Sequence, residues 1–302
     1  FKPSGAVSLT GSSHITFEAG CYKWWLLCPS SVMLEGDSTL SQSGSVTWPS
    51  PDLNGNALTL NVDNMTLSGE QIIGTGESLS SGSSYLYLDD KLTIVNGGTL
   101  SSDNGSVTIM SNLNLNNGEL RQGGGILILN HGGYVAPAGR LDVSNSELKL
   151  GSALGITGTL AVNSASYWSG LGGTVDLSAG TLESSGGSLN LDQFTTGANT
   201  AFKLSGNTEI TSSDNMTFGS LDLGGNRLTL GTGSAGMTLP NTLTMDNVSS
   251  AIETKNVNLT LGEALSLTSG SITSTGGTLS FSGDLTLGAG GTLDVSGSTL
   301  SA

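Results

Sequence analysis

The chain has 302 residues, 46 of them glycine, with 36% hydrophobic and only 11% charged, both below the usual globular share. Twenty-four acidic against nine basic residues give a net charge of −15 with no basic cluster, which repels a phosphate backbone and argues against nucleic-acid partners. No apolar run approaches the roughly 20 residues of a membrane helix, so no membrane insertion is expected, and the acidity suits solubility in a crowded extracellular setting.

The chain opens at Phe1 without a methionine, which reads as a mature or truncated product of the kind a removed signal peptide would leave. Residues 1–51 form a distinct N-terminal section of the same domain, punctuated by Pro29, Pro49 and Pro51. The stretch from His14 to Met33 is the only candidate for helix, and it reads as an N-terminal cap or an interface insertion. It holds the only two cysteines, Cys21 and Cys28. These could be a disulfide, half of a metal site or two free thiols. Zinc would need two more ligands and only His14 lies near, so a disulfide formed in an oxidising compartment is the expectation. Tyr22, Trp24 and Trp25, with Trp48 beyond them, form an unusual aromatic cluster. It could cover the first coil, dock another subunit or bind sugar.

Residues 52–302 follow one grammar. A short alternating strand such as Leu58-Thr59-Leu60 or Leu285-Thr286-Leu287 is followed by Gly, Asn, Ser or Asp, and another strand begins. Alternation puts Leu, Val and Ile on one face and Thr, Ser and Asp on the other. Glycine and asparagine supply the positive-φ corners. The strings recur: Arg-Leu-Asp-Val-Ser at 140–144, Thr-Val-Asp-Leu-Ser at 174–178, Ser-Leu-Asp-Leu-Gly at 220–224 and Thr-Leu-Asp-Val-Ser at 292–296. The grammar is too long and uniform for one sandwich, and at 5% aromatics are too scarce for a sandwich core. A stacked coil needs only a Leu/Val/Ile interior. The fold expected is therefore all-β, a parallel β-helix (β-solenoid) of roughly 20–25 residues per coil and about a dozen coils. Leu60, Leu67, Leu115, Val143, Leu177, Leu223, Leu230, Leu287 and Val295 should point inward.

Catalytic signatures are missing from the sequence. Only His14 and His131 could serve a hydrolytic triad, and no phosphate loop, dinucleotide fingerprint or zinc-protease motif occurs. A polysaccharide lyase or glycosidase needs carboxylates converging on a groove. Asp89 and Asp90 are adjacent and, in a strand, would point to opposite faces. Asp142, Asp176, Asp222 and Asp294 read as a solvated ladder. The chain is thus read as a non-enzyme with no cofactor and no metal site. Gly290-Gly291-Thr292-Leu293-Asp294 lacks the third glycine of a calcium β-roll. Thr242/Thr244 and Thr273/Thr275 are isolated instances of the Thr-x-Thr pattern used for ice binding.

The string Gly290-Gly291-Thr292-Leu293-Asp294-Val295-Ser296-Gly297 and the recurring Leu-Thr-Leu units resemble the repeats of bacterial β-helical surface proteins. Those include autotransporter passenger domains and filamentous-haemagglutinin-like adhesins. The resemblance is one of repeat grammar and covers most of residues 52–302. It implies export, a right-handed parallel β-helix and a role in adhesion or matrix. No recognisable two-partner secretion domain or autotransporter barrel is found, so the piece reads as a fragment or a self-assembling unit.

The expected function is that of a secreted, extracellular structural protein whose copies stack head to tail into a fibre. The last strands keep the grammar without Lys or Pro, so an exposed strand edge remains there. Tyr22, Trp24 and Trp25 would meet Leu293, Val295 and Leu300 of the next copy. A monomeric surface adhesin that contacts host or matrix surfaces is the alternative. A polysaccharide-degrading enzyme comes third.

Overall fold

The structure is a computed structural model that describes residues 7–10, 13–17, 32–163, 165–170, 172–241, 243–245 and 247–301. The described residues are strands and turns with no helix, and the parallel sheets stack as a β-solenoid with about twelve turns in all. Two compact units divide the chain. The first is Phe1–Gly158 with Trp168–Gly173, the second Thr159–Tyr167 with Thr174–Ala302.

In the first unit each turn contributes three short strands to three faces. Face A holds Ser78–Gly82, Thr99–Ser102, Glu119–Gln122 and Arg140–Asp142. Face B holds Tyr85–Leu88, Ser106–Ile109, Ile126–Leu129 and Glu147–Leu150. Face C holds Gln71–Ile73, Leu92–Val95, Leu113–Asn116, Gly133–Val135 and Leu154–Ile156. Ser38–Pro49 and Ala57–Ser68 each bend through a register shift or pairing change and serve faces A and B in turn.

Like residues meet because the chain returns to the same place once per turn. Leu58, Leu79, Leu100, Leu120 and Leu141 stack on face A. Ile73, Ile94, Leu115, Val135 and Ile156 stack on face C. All ten are essentially buried, and burying each is worth about 1.5–3 kcal/mol. A thin aliphatic interior therefore suffices, as the composition suggests.

Corners use two devices. Asn96 and Gly97 take φ of 52° and 85°, the left-handed region that asparagine and glycine tolerate best. Where face A bends into face B, a polar column runs through the interior. The Gln122 amide, fully buried, donates to Ser102 Oγ (3.3 Å), to the Gly105 carbonyl (2.9 Å) and to the Gly124 carbonyl. Ser146 Oγ donates to the Gln122 carbonyl at 2.7 Å. These bonds occupy carbonyls that the corner geometry removes from the sheet ladders.

The second unit repeats the plan. Leu243–Met245, Ala251–Thr254 and Asn258–Leu261 make one turn. Leu265–Ser274 with Thr278–Phe281 makes the next, and Leu285–Asp294 with Thr299–Ser301 the last described. Its buried polar corner is a hydroxyl relay: Thr254 Oγ1 donates to Ser274 Oγ at 2.8 Å, and Ser274 and Ser298 hydroxyls meet at 2.8 Å. Within this unit, turn length varies with the corners, from 19 residues between Phe202 and Leu221 to 24 between Leu228 and Ile252.

Several expectations are corrected. The two ends of the helix candidate are strands: Ser13–Phe17 pairs in parallel with the later Ser38–Pro49, and Val32–Glu35 with the earlier Val7–Thr10. Residues 18–31, with Cys21, Tyr22, Trp24, Trp25 and Cys28, lie outside the described residues. Leu60, Leu67, Leu115, Val143, Leu177, Leu223 and Leu230 are buried as expected, but Leu287 is 50% exposed and Val295 only half-buried. Both sit on the last turn, above which no further rung is described. Asp89 and Asp90 lie in a turn rather than a strand, and Asp89 accepts a hydrogen bond from the Gly69 N–H at 2.7 Å.

Candidate functional site

The last described turn differs from every turn inside it. Strand Leu285–Asp294 pairs with Leu265–Ser274, and Thr299–Ser301 with Thr278–Phe281, each on one side only among the described residues. Leu285 and Leu287 continue the ladders of Leu265 and Leu267, which are 1% and 0% exposed, yet stand at 36% and 50%. Leu300 continues the ladder of Leu279 and rises from 0% to 51%. Leu293 stacks on the buried Ile272 and is half-buried. Among the described residues this leaves an apolar surface bordered by strand edges without a partner, the combination that templates further pairing. Of the six residues expected at a subunit interface, Leu293, Val295 and Leu300 lie on this turn, and Tyr22, Trp24 and Trp25 lie outside the described residues.

Asp142, Asp176, Asp222 and Asp294 do not form one ladder. Asp142 pairs in register with Arg121, Asp176 with Thr195, Asp222 with Lys203 and Asp294 with Thr273. They share a different job. Each carboxylate accepts a hydrogen bond from the backbone N–H two residues on, at Ser144, Ser178, Gly224 and Ser296, at 2.9–3.0 Å. The Leu-Asp unit is a corner-forming signal, an Asx-turn at the end of a strand.

Three carboxylates are held below their ordinary range. The Ser296 hydroxyl and N–H do this to Asp294, the Ser213 N–H and the Asn190 amide to Asp192, and the Lys91 ammonium to Glu70. Lowered folded-state values mean that this stabilisation is complete above the usual carboxylate range, near pH 4, and is lost as pH falls through the depressed values. In about 0.15 M salt, where the net negative charge is largely screened, the melting temperature should be level between pH 7 and 5 and fall below pH 4. A melting temperature that rises on acidification would contradict this reading.

Basic side chains sit beside acids. Lys91 bonds Glu70 at 2.8 Å, and Lys149 lies 3.4 Å from Glu147. Arg140 reaches Glu119 and Asp142, Arg227 reaches Glu253 and Lys255 reaches Glu209. Arg121 is flanked in register by Asp142, and Lys203 by Glu183 and Asp222. Among the described residues, each Lys and Arg thus has a carboxylate within reach or next to it in register. Among the described residues no group of three or more His, Cys, Asp or Glu is placed to hold a metal ion, and no helix is long and apolar enough to cross a membrane. The His131 ring nitrogen faces the Met110 carbonyl, a local structural contact.

One feature escaped the sequence reading. Tyr85 and Tyr87 project from face B, 61% and 38% exposed, over a shallow trough. The Tyr-Leu-Tyr-Leu alternation could have shown that both rings share the outer face. No family model, no curated protein and no solved structure matches the chain.

Proposed function

We propose that this chain is an extracellular structural β-solenoid whose copies stack end to end, the last described turn of one covered by the first turns of the next. The carrying observation is the exposure of Leu285, Leu287 and Leu300 at positions that are buried one rung earlier. The surface that matches this pattern is another turn of the same three-strand plan. The chain carries such turns at its start, where Val7–Thr10 and Ser13–Phe17 pair in parallel with later strands and have one open edge among the described residues. A parallel stack has two unlike edges, so joining one to the other continues the ladder and does not close, which gives a filament. A monomeric surface adhesin is the second reading, and the exposed tyrosine pair on face B favours it.

Light scattering and electron microscopy of the 302-residue chain separate the two. The proposal expects filaments that grow with concentration. Leu287→Lys with Leu300→Lys should lower the association constant by at least about tenfold, because it places charge against an apolar ladder. Its circular dichroism should be unchanged, since both positions are exposed. A wild-type monomer at high concentration, or filaments that survive the double substitution, would sink the stacking mechanism.

A further inference from the structure

We propose that face B carries a binding site for a neutral polysaccharide, with Tyr85 and Tyr87 as its stacking platform. This inference does not depend on end-to-end stacking.

Leu86 and Leu88 are 1% and 0% exposed and fix the strand's inner side, so the two tyrosines must stand outward. Alternate residues on a strand lie roughly 6.6 Å apart. The rungs on either side carry small residues at the same register: Asn64 and Thr66 on one, Ser106 and Thr108 on the other. The rings therefore rise above a floor of hydroxyls and an amide, and a trough of about 380 Å³ runs beside them. Tyr134, on face C, has its hydroxyl bonded to Thr157 Oγ1 at 2.7 Å, but neither Tyr85 nor Tyr87 has such a partner among the described residues.

The chemistry of the trough selects its occupant. A pyranose ring has an apolar C–H face and a rim of hydroxyls, which fits exposed aromatic faces flanked by short polar side chains. No lining residue carries a charge, and the basic side chains elsewhere on the described surface sit beside carboxylates, so an acidic glycan or a nucleic acid has nothing to grip. An extended peptide would dock by adding a strand. Both edges of Tyr85–Leu88 are already taken, by Asn64–Leu67 and by Ser106–Ile109. An amphipathic helix would need a wide apolar groove, whereas the rungs beside the tyrosines are polar.

Affinity electrophoresis of the intact chain tests this, with galactomannan, xyloglucan and mixed-linkage β-glucan as neutral probes and polygalacturonate as the anionic one. At least one neutral polymer should retard the protein. Tyr85→Ala with Tyr87→Ala should weaken that retardation at least about tenfold, with unchanged circular dichroism. Tyr134→Ala, on face C, should leave it intact, and Tyr85→Trp should keep or strengthen it. Lack of retardation by all three neutral polymers would overturn the proposal. So would equal retardation of the double variant, or retardation by polygalacturonate alone.

Discussion

Phe202→Ala is expected to destabilise the second unit by about 4 kcal/mol. Phe202 is fully buried, sits in register between Leu182 and Leu221, and stacks on Phe218 with ring centroids 5.0 Å apart and planes 26° from parallel. Removing the ring leaves a cavity that the surroundings cannot close, because backbone hydrogen bonds hold the rungs at about 4.8 Å. Two such bonds flank the strand: Ala201 N to Gly180 O at 2.9 Å and Ser205 N to Ser184 O at 2.8 Å. The loss should be local, since each turn of a solenoid contacts chiefly its neighbours. Hydrogen exchange should accelerate in Thr181–Ser184 and Ala201–Leu204 and stay slow in Leu92–Val95. Phe202→Leu, which nearly refills the space, should cost under about 1.5 kcal/mol. Equal protection in wild type and the alanine variant would mean that the two rings do not pack as described.

Gly125→Ala should be comparably damaging, at about 3 kcal/mol or more. Gly125 adopts φ of 72°, and a Cβ there would overlap the Gly105 carbonyl oxygen on the adjacent turn. That oxygen cannot step aside cheaply, because it accepts the buried Gln122 amide at 2.9 Å. Pushing it away disrupts one of the buried bonds that hold the Gln122 amide, in addition to the steric cost. Gly297 is the internal comparison. Its φ is 78° but its Cβ would meet nothing within 4 Å, so Gly297→Ala should cost only the roughly 1 kcal/mol of a left-handed alanine. Thermal melts of the two variants measure the difference. Equal melting temperatures would show that backbone conformation alone, and not the close approach of turns, sets the demand for glycine at Gly125.

Both expectations turn on contacts between residues about 20 positions apart, and there the sequence reading met its limit. The alternation that buries Leu100 and leaves Ser101 half-buried on the outer side is local, so it was legible from three or four residues. Asn96 and Gly97 mark a corner by their own backbone preferences and were equally legible. From such signals followed the all-β character, the parallel stacking and the aliphatic interior.

What the sequence could not settle is which strings share a face. Each turn carries three strands, so the unit of the grammar is a third of a turn. Similar strings can therefore fall on any face: Leu141-Asp142 lies on face A, while Asp176 of Val175-Asp176 pairs with Thr195 on another sheet. The Asn64, Tyr85 and Ser106 column is likewise invisible until corner lengths fix the register. The exposure of Leu287 also escaped, because its own triplet, Leu285-Thr286-Leu287, is indistinguishable from buried Leu265-Ser266-Leu267 in pattern. A strand's alternation is set by the geometry of its own backbone. Burial of its inner side depends on whether another turn lies above it, which is a property of the stack and not of the strand.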